Sequence, residues 1–508
     1  MLTSPPLLRP TRRQLLQGAA AFSTSALFSG CNKALTMAAS PVGETAAANT
    51  QPTPLGPVSQ AYLSVSAGTV GVIGSGFAGL SYEKSAMCEP LFTGTNANLI
   101  GLFQLLGPSV LRIGGNSVDQ SVWSPNGLGH TAGQIAPADV DALAAFLSQT
   151  GWQCIYGINL GGAASGATTP ELGAAEVEYI AQKLGSSLLG IEIGNECDGY
   201  GAPGSYFAGN WSLAQFESLW EQFRSAIVAR TPGIAITGPA SGSNISTWTV
   251  PFGQSATRNN LSLLTQHYYR GSGQSSNATA ANLISADSKL TNSLSSLSTG
   301  AGSIGVPYRI GECNSYFNGG APGVSNAYAS ALWILDFLFN CAQGGAAGVN
   351  LHGGGNGNSY SPIVDNAGAV IAARPLFYGM KLFTLAGQGY LVQTNLSAGG
   401  INATAYAVKS SGGGVSLVIV NKDTTQNLQL TISMPHSVSS AALTTMTQLS
   451  SGAQGPSLSA TSGVTIQDAT IDAGGEFSPS APYALAPNGS QIGCYVPALS
   501  AVLIKVEE

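Results

Sequence analysis

The sequence predicts an eightfold βα barrel followed by an antiparallel β-sandwich domain. Three observations lead there. Eight apolar runs of strand length recur between residues 76 and 355, segments with helical spacing separate most of them, and beyond residue 389 the period switches to two. Parallel strands covered on both faces read as unbroken apolar runs, whereas a half-covered antiparallel strand alternates.

The N-terminal segment, "RPTRRQLLQGAAAFSTSALFSGC", carries Arg12 and Arg13, a short stretch of small apolar residues, and Cys31. It has the form of an export signal of the twin-arginine type, too short to be kept as a membrane span. "LFSGC" also offers Cys31 for lipid attachment, which would tether a bacterial protein outside the cytoplasm, in the periplasm or beyond it. Residues 1–31 are read as this signal and 32–57 as a linker without periodicity. "SQAYLSVSAG" alternates, and 58–73 is assigned as a strand joining the β domain.

Residues 74–388 form the barrel. Its strands are "GFAGLSYE", "SVLRIGGNS", "QCIYGINLG", "LLGIEIGNE", "GIAITGPAS", "LLTQHYY", "PYRIGECNSY" and "AGVNLHGGG". Helical spacing follows in "PADVDALAAFLSQTG", "PELGAAEVEYIAQKLG", "LAQFESLWEQFRSAIVAR" and "NAYASALWILDFLFNCAQG". The unit after strand five is the weakest, because "NISTWTVPFGQSATRNN" has little periodicity. A doubly wound open sheet is the structural alternative; against it, no strand runs into GxGxxG or GxxxxGK[ST], so nothing marks a nucleotide site. Residues 389–508 alternate between Gly-rich turns and are read as the sandwich.

Charged residues make up only 8% of the 508, and the net charge is −6. The 18 Lys and Arg form no run that could follow a phosphate backbone, which excludes nucleic acid as a partner. Four of them, Arg9, Arg12, Arg13 and Lys33, lie in the N-terminal segment, leaving too few for a long sulfated polyanion. The six cysteines after Cys31 have no CxxC spacing and are read as buried thiols. With only four His in the chain, neither a metal nor another cofactor is expected.

In such a barrel the reacting groups stand at the C-terminal ends of the strands. Those ends carry Glu83, Arg112 and Asn116, Asn195 and Glu196, Gln266 to Tyr269, Glu312, and the glycines 353 to 355. Glu196 and Glu312 directly follow strands four and seven. Cleavage of a glycosidic bond needs such a pair, one protonated to assist the leaving oxygen and one ionised to attack the anomeric carbon. A lone glutamate would more often cap a helix or meet a lysine. Two of them, each with polar escorts, point to chemistry.

"GNE", "QHYY" and "GEC" look like glycoside hydrolase clan A. The ordered set "LSYE", "LRIGGNSVD", "GNE", "HYY" and "ECNSYFNGGAPGVS" resembles glycoside hydrolase family 79, which holds β-glucuronidases and heparanase, over roughly residues 60 to 508. The resemblance implies a retaining exo-β-glucuronidase acting on glycans that end in glucuronic acid or its 4-O-methyl form. Glu196 would be the acid/base and Glu312 the nucleophile. Tyr268 and Arg112 would hydrogen-bond Glu312 and keep it ionised, while Glu196 stays protonated in less polar surroundings.

Asn195 would hold the sugar 2-hydroxyl, and Glu83 and Asn116 the distal hydroxyls. The substrate carboxylate would meet backbone N–H groups of Asn318, Gly319 and Gly320 and the hydroxyl of Tyr360. Phe317 departs from the family pattern, where a tyrosine is expected, which puts the sugar acid's identity in question. His267 is read as structural, and Asp119 and Asp198 are given no role. The alternatives are an endo-acting, heparanase-like enzyme, which needs a basic groove that the scattered cations do not supply, and a silent carbohydrate-binding protein on a glycosidase fold.

Overall fold

The computed structural model describes residues 49–256, 261–449 and 455–508. The Arg12–Arg13 signal and Cys31 lie outside them. Ala78–Glu83, Val110–Gly114, Gln153–Ile158, Leu188–Ile193, Ile236–Ser241, Leu261–Ser272, Tyr308–Phe317 and Val349–Gly353 are barrel strands one to eight. Each pairs in parallel with the next, and the eighth closes on the first, Leu351 opposite Leu80. Both faces of these strands are covered, so their side chains are buried almost throughout.

Local sequence sets the helices that return the chain. Pro137–Thr150 and Pro170–Leu184 each begin on a proline, which needs no N–H at that position, and Thr169 and Asp287 accept from the first turns they precede. After strand five the weak periodicity yields a single π-turn, Ile245–Thr249, and the short helix Val250–Ala256. Its shortness leaves the strand-five loop close to the barrel mouth.

Apart from two two-stranded ribbons, Val122–Trp123 with Gln134–Ile135 and Ile363–Asn366 with Ala369–Ala373, the remaining strands form one ten-stranded sheet, in which Val58–Ile73 lies antiparallel to Gly389–Ser397 and parallel to Asn427–Ser433. The sandwich is thus one continuous hydrogen-bonded sheet folded over its own core, because strands at both ends of the path contribute to a shared cluster that includes Leu443, Ile504, Leu430 and Val496. Helix Tyr328–Gln343 is apolar on nearly every side because it lies between sheet and barrel. Phe339 stacks on Tyr406 with centroids 4.4 Å apart, and Tyr328 donates to the carbonyl of Leu499. Asp336, its one acid, accepts from Thr404, Tyr406 and Lys422 of the sheet.

The six described cysteines are free thiols, five of them buried. Among the described residues no helix is long and apolar enough to cross a membrane.

Candidate active site

Arg112, fully buried on strand two, organises the floor of the mouth. Its Nε donates to Glu192 at 2.6 Å, its Nη1 to Glu312 at 2.9 Å, and its Nη2 to Asn195 Oδ1 at 2.8 Å. One cation therefore bridges two carboxylates, and neither is neutralised outright. The glycines of "LRIGGNS" make room: a Cβ on Gly114 would stand 2.4 Å from the guanidinium, and one on Gly115, whose φ is +75°, equally close to the Glu83 carboxyl.

Glu312 is the buried member of the expected pair, its side chain 9% exposed against 39% for Glu196. Burial alone would raise its pKa. The positive fields of His352, His267 and Arg112 and a hydrogen bond from Tyr269 overcome this and hold it well below the usual carboxylate range. The expectation of less polar surroundings for Glu196 is corrected here. Its carboxyl is the more exposed of the two and rests on His267 Nδ1 at 3.0 Å.

Glu196 closes the turn that ends strand four. Gly194 has φ +85° and Glu196 itself φ +48°, a left-handed conformation that costs a non-glycine residue energy and is held by its surroundings. Its N–H donates to Ala240 of strand five at 2.8 Å, and the Asn195 N–H to Tyr200. One oxygen from each glutamate and a ring nitrogen of His267 lie within 4.8 Å of one another, the one trio among the described residues whose donors could also converge on a metal ion.

Two sequence readings change. The tyrosine on Glu312 is Tyr269, donating to Oε1 at 2.8 Å, and not Tyr268. Thr265, His267 and Tyr269 alternate inward along strand six, so Tyr268 points out through the wall to Asp287, 2.6 Å away at the next helix cap. His267, expected to be structural, faces the site for the same reason, and its buried Nε2 has no hydrogen-bond partner among the described residues.

The other expected residues gather at the rim. Glu83 accepts from the N–H groups of Asn116 and Ser117 and from the Ser117 hydroxyl, while Asn116 Oδ1 lies 3.4 Å from Asn195 Nδ2. Asn318, Gly319 and Gly320 all have positive φ, and none of their three N–H groups meets an acceptor among the described residues. Tyr360 is buried, its ring centroid 6.2 Å from Tyr269, and Phe317 packs edge-on against the same ring.

Glu192 and His352 were missed. Glu192 is a charge inside an apolar run, which a strand buried on both faces can hold only against an opposite charge; that was the available signal. His352 ends strand eight beside the glycines. It contacts Ser81 at 3.0 Å, Glu83 at 3.5 Å and Glu312 at 3.7 Å. Burial would lower its pKa, but the two carboxylates raise it.

Residues 117–339 match the model of the glycosyl hydrolase family 79 N-terminal domain. A β-glucuronidase of Aspergillus niger is 27% identical over 349 residues, covering 61% of this chain. The match spans 63% of that relative's length. A second β-glucuronidase, from Neurospora crassa, is 40% identical over 75 residues, 14% of this chain and 13% of that one. In fold, the chain is similar to a 4-O-α-L-rhamnosyl-β-D-glucuronidase from Fusarium oxysporum 12S, with TM-score 0.71 and 16% identity over 87% of this chain and 99% of that one. An α-L-arabinofuranosidase from Thermotoga maritima follows at TM-score 0.63 and 15% identity, over 88% and 100%. The family match on the barrel and the β-glucuronidase relatives make the chain similar to glycoside hydrolase family 79, and the solved structures share its fold.

Proposed function

We propose that this protein is a retaining exo-β-glucuronidase that removes terminal glucuronic acid, or its 4-O-methyl form, from glycans. The observation that carries the reading is the approach of Glu196 and Glu312, whose nearest carboxylate oxygens lie within 4.8 Å. Retaining enzymes hold their carboxyl groups about 5–5.5 Å apart, and inverting ones about 6.5–9.5 Å to admit a water. Glu312, held ionised, attacks the anomeric carbon while Glu196 protonates the departing oxygen. Glu196 then takes a proton from the water that displaces the sugar from Glu312.

The substrate class is supported by the β-glucuronidase relatives and by the three free N–H groups of Asn318–Gly320, which could hold a carboxylate. The 4-O-methyl form is favoured by Phe317, half-exposed at the rim and apolar where a hydroxyl was expected. Scattered cations favour terminal over internal cleavage of acidic polymers. The Arg12–Arg13 segment adds the proposal of export from a bacterial cytoplasm.

The test is hydrolysis of an aryl β-glucuronide followed by proton NMR, beside the aryl glucoside and polymeric heparan. The β-anomer of free glucuronic acid should form first, and the glucoside and the polymer should be poor substrates. First appearance of the α-anomer would remove the double displacement, and preference for the glucoside would remove the substrate class.

A further inference from the structure

Asp198 lies two residues beyond Glu196, on the turn Cys197–Gly199, and none of the proposed chemistry uses it. Its carboxylate makes no ion pair among the described residues. It gathers the loop after strand five instead. Oδ1 accepts from the Gly242 N–H at 2.8 Å, and Oδ2 accepts from the N–H groups of Ser243 and Asn244 at 3.1 and 3.3 Å and from Asn244 Nδ2 at 3.0 Å. Four donors on one carboxylate form a charge-assisted staple between two loops.

The staple matters because of what Gly242 touches. A Cβ built on it would stand 3.1 Å from Cδ and Oε1 of Glu196, so the glycine backbone forms a wall directly beside that carboxyl. The same Oε1 meets His267 Nδ1 at 3.0 Å. The Glu196 backbone is already in a left-handed conformation that a side chain tolerates only when its surroundings fix it. The carboxyl's direction is therefore set by a histidine and by a loop whose position depends on Asp198.

We infer that Asp198 is a positioning residue for Glu196, acting through the Gly242–Asn244 loop to aim the proton donor at the departing oxygen. This rests on the reading of Glu196 as acid/base. It requires that loosening the loop slow the reaction in proportion to how much the leaving group needs a proton.

The experiment compares kcat/KM of the full chain on two substrates, phenyl β-glucuronide, whose phenol leaves poorly without protonation, and 2,4-dinitrophenyl β-glucuronide, whose phenolate leaves unaided. Asp198→Asn keeps the shape but sets an amide against N–H donors. It should lower kcat/KM for the phenyl substrate about tenfold or more, and for the dinitrophenyl substrate less than about twofold. Gly242→Ala, which crowds the same carboxyl without touching Asp198, should give the same split and tests the wall itself; should Asp198→Asn not fold, Asp198→Glu, which keeps the charge but displaces the loop by a methylene, decides the matter. Glu196→Gln is the reference and should show the largest split of the three. If Glu196→Gln slows both substrates equally, the reading of Glu196 as acid fails. If Glu196→Gln shows the split while the Asp198 variant lowers both substrates alike, or neither, Asp198 is only structural and the inference is overturned, whatever Gly242→Ala does.

Discussion

Arg112 at the mouth of the barrel and Arg309 at its floor are both buried, and they are satisfied in opposite ways. Arg112 lies between the carboxylates of Glu192 and Glu312, whose charges outweigh its burial and raise its pKa. Arg309 meets no acid among the described residues. It donates to Asn350 Oδ1 and to the carbonyls of Gly76 and Val349, and burial pushes its pKa down to about 9. A guanidinium that only plugs the floor needs no more than backbone dipoles. Where ionised carboxylates must be kept ready, the counter-charge is built in, although desolvating such a cluster works against stability.

The largest test of that contrast removes the chemistry alone. Glu312→Ala should reduce turnover of an aryl glucuronide by about 10⁴-fold or more while the protein stays folded, measured by initial rates beside thermal melting. Retained turnover would take Glu312 out of the reaction.

Next come the two arginines. Arg112→Met leaves Glu192 and Glu312 facing each other, so activity should fall about 10²–10³-fold and stability by about 3–5 kcal/mol. Arg309→Met should cost about 1–3 kcal/mol in urea unfolding through its unpaired acceptors, while kcat/KM per folded molecule is unchanged. If the floor substitution lowers kcat/KM as the mouth substitution does, the division of labour between the two ends is wrong.

The adjacent tyrosines repeat the contrast on one strand. Tyr269→Phe removes the hydroxyl from Glu312 and should lower kcat about tenfold with little change in melting. Tyr268→Phe removes the one on Asp287 and should cost about 1–2 kcal/mol with kinetics preserved. Reversal of the two outcomes would restore Tyr268 to the site.

The smallest expected effect is in pH. Glu312's pKa is depressed in the folded protein, so its contribution to stability is present above about pH 4.3, the unfolded value, and is lost as pH falls through the lower folded value. His352's is raised, so its contribution is complete below about pH 6.5 and is lost as pH rises through its folded value. His352→Gln removes one of the fields that hold Glu312 down. The acid limb of kcat/KM should then move to higher pH, by about one unit or less, and an unmoved limb would show that His352 does not act on Glu312.

Much of this was legible because covered parallel strands leave unbroken apolar runs. The order of eight such runs assigned Glu196 and Glu312 to strands four and seven, although Glu312 lies within Tyr308–Phe317 and does not follow it. Glu192 could have been found by asking what neutralises a charge in strand four, since Arg112 stands in strand two. His352 was overlooked beside the glycines that follow it.

What the sequence determined by itself was the number of barrel strands, the switch to alternation at the sheet, and the assignment of the two glutamates to strands four and seven, each set by local composition. Which residues of "HYY" face the two glutamates was decided by tertiary structure. A strand covered on both faces carries no hydrophobic alternation to mark its inner side, and its facing depends on register with its neighbours, here interrupted between Ile310 and Glu312 of strand seven. Closure of the barrel likewise decided which carboxyl is buried and charged and which is open to the mouth. Burial and electric field come from residues far apart in the chain, including Arg112, His267, His352 and Gly242.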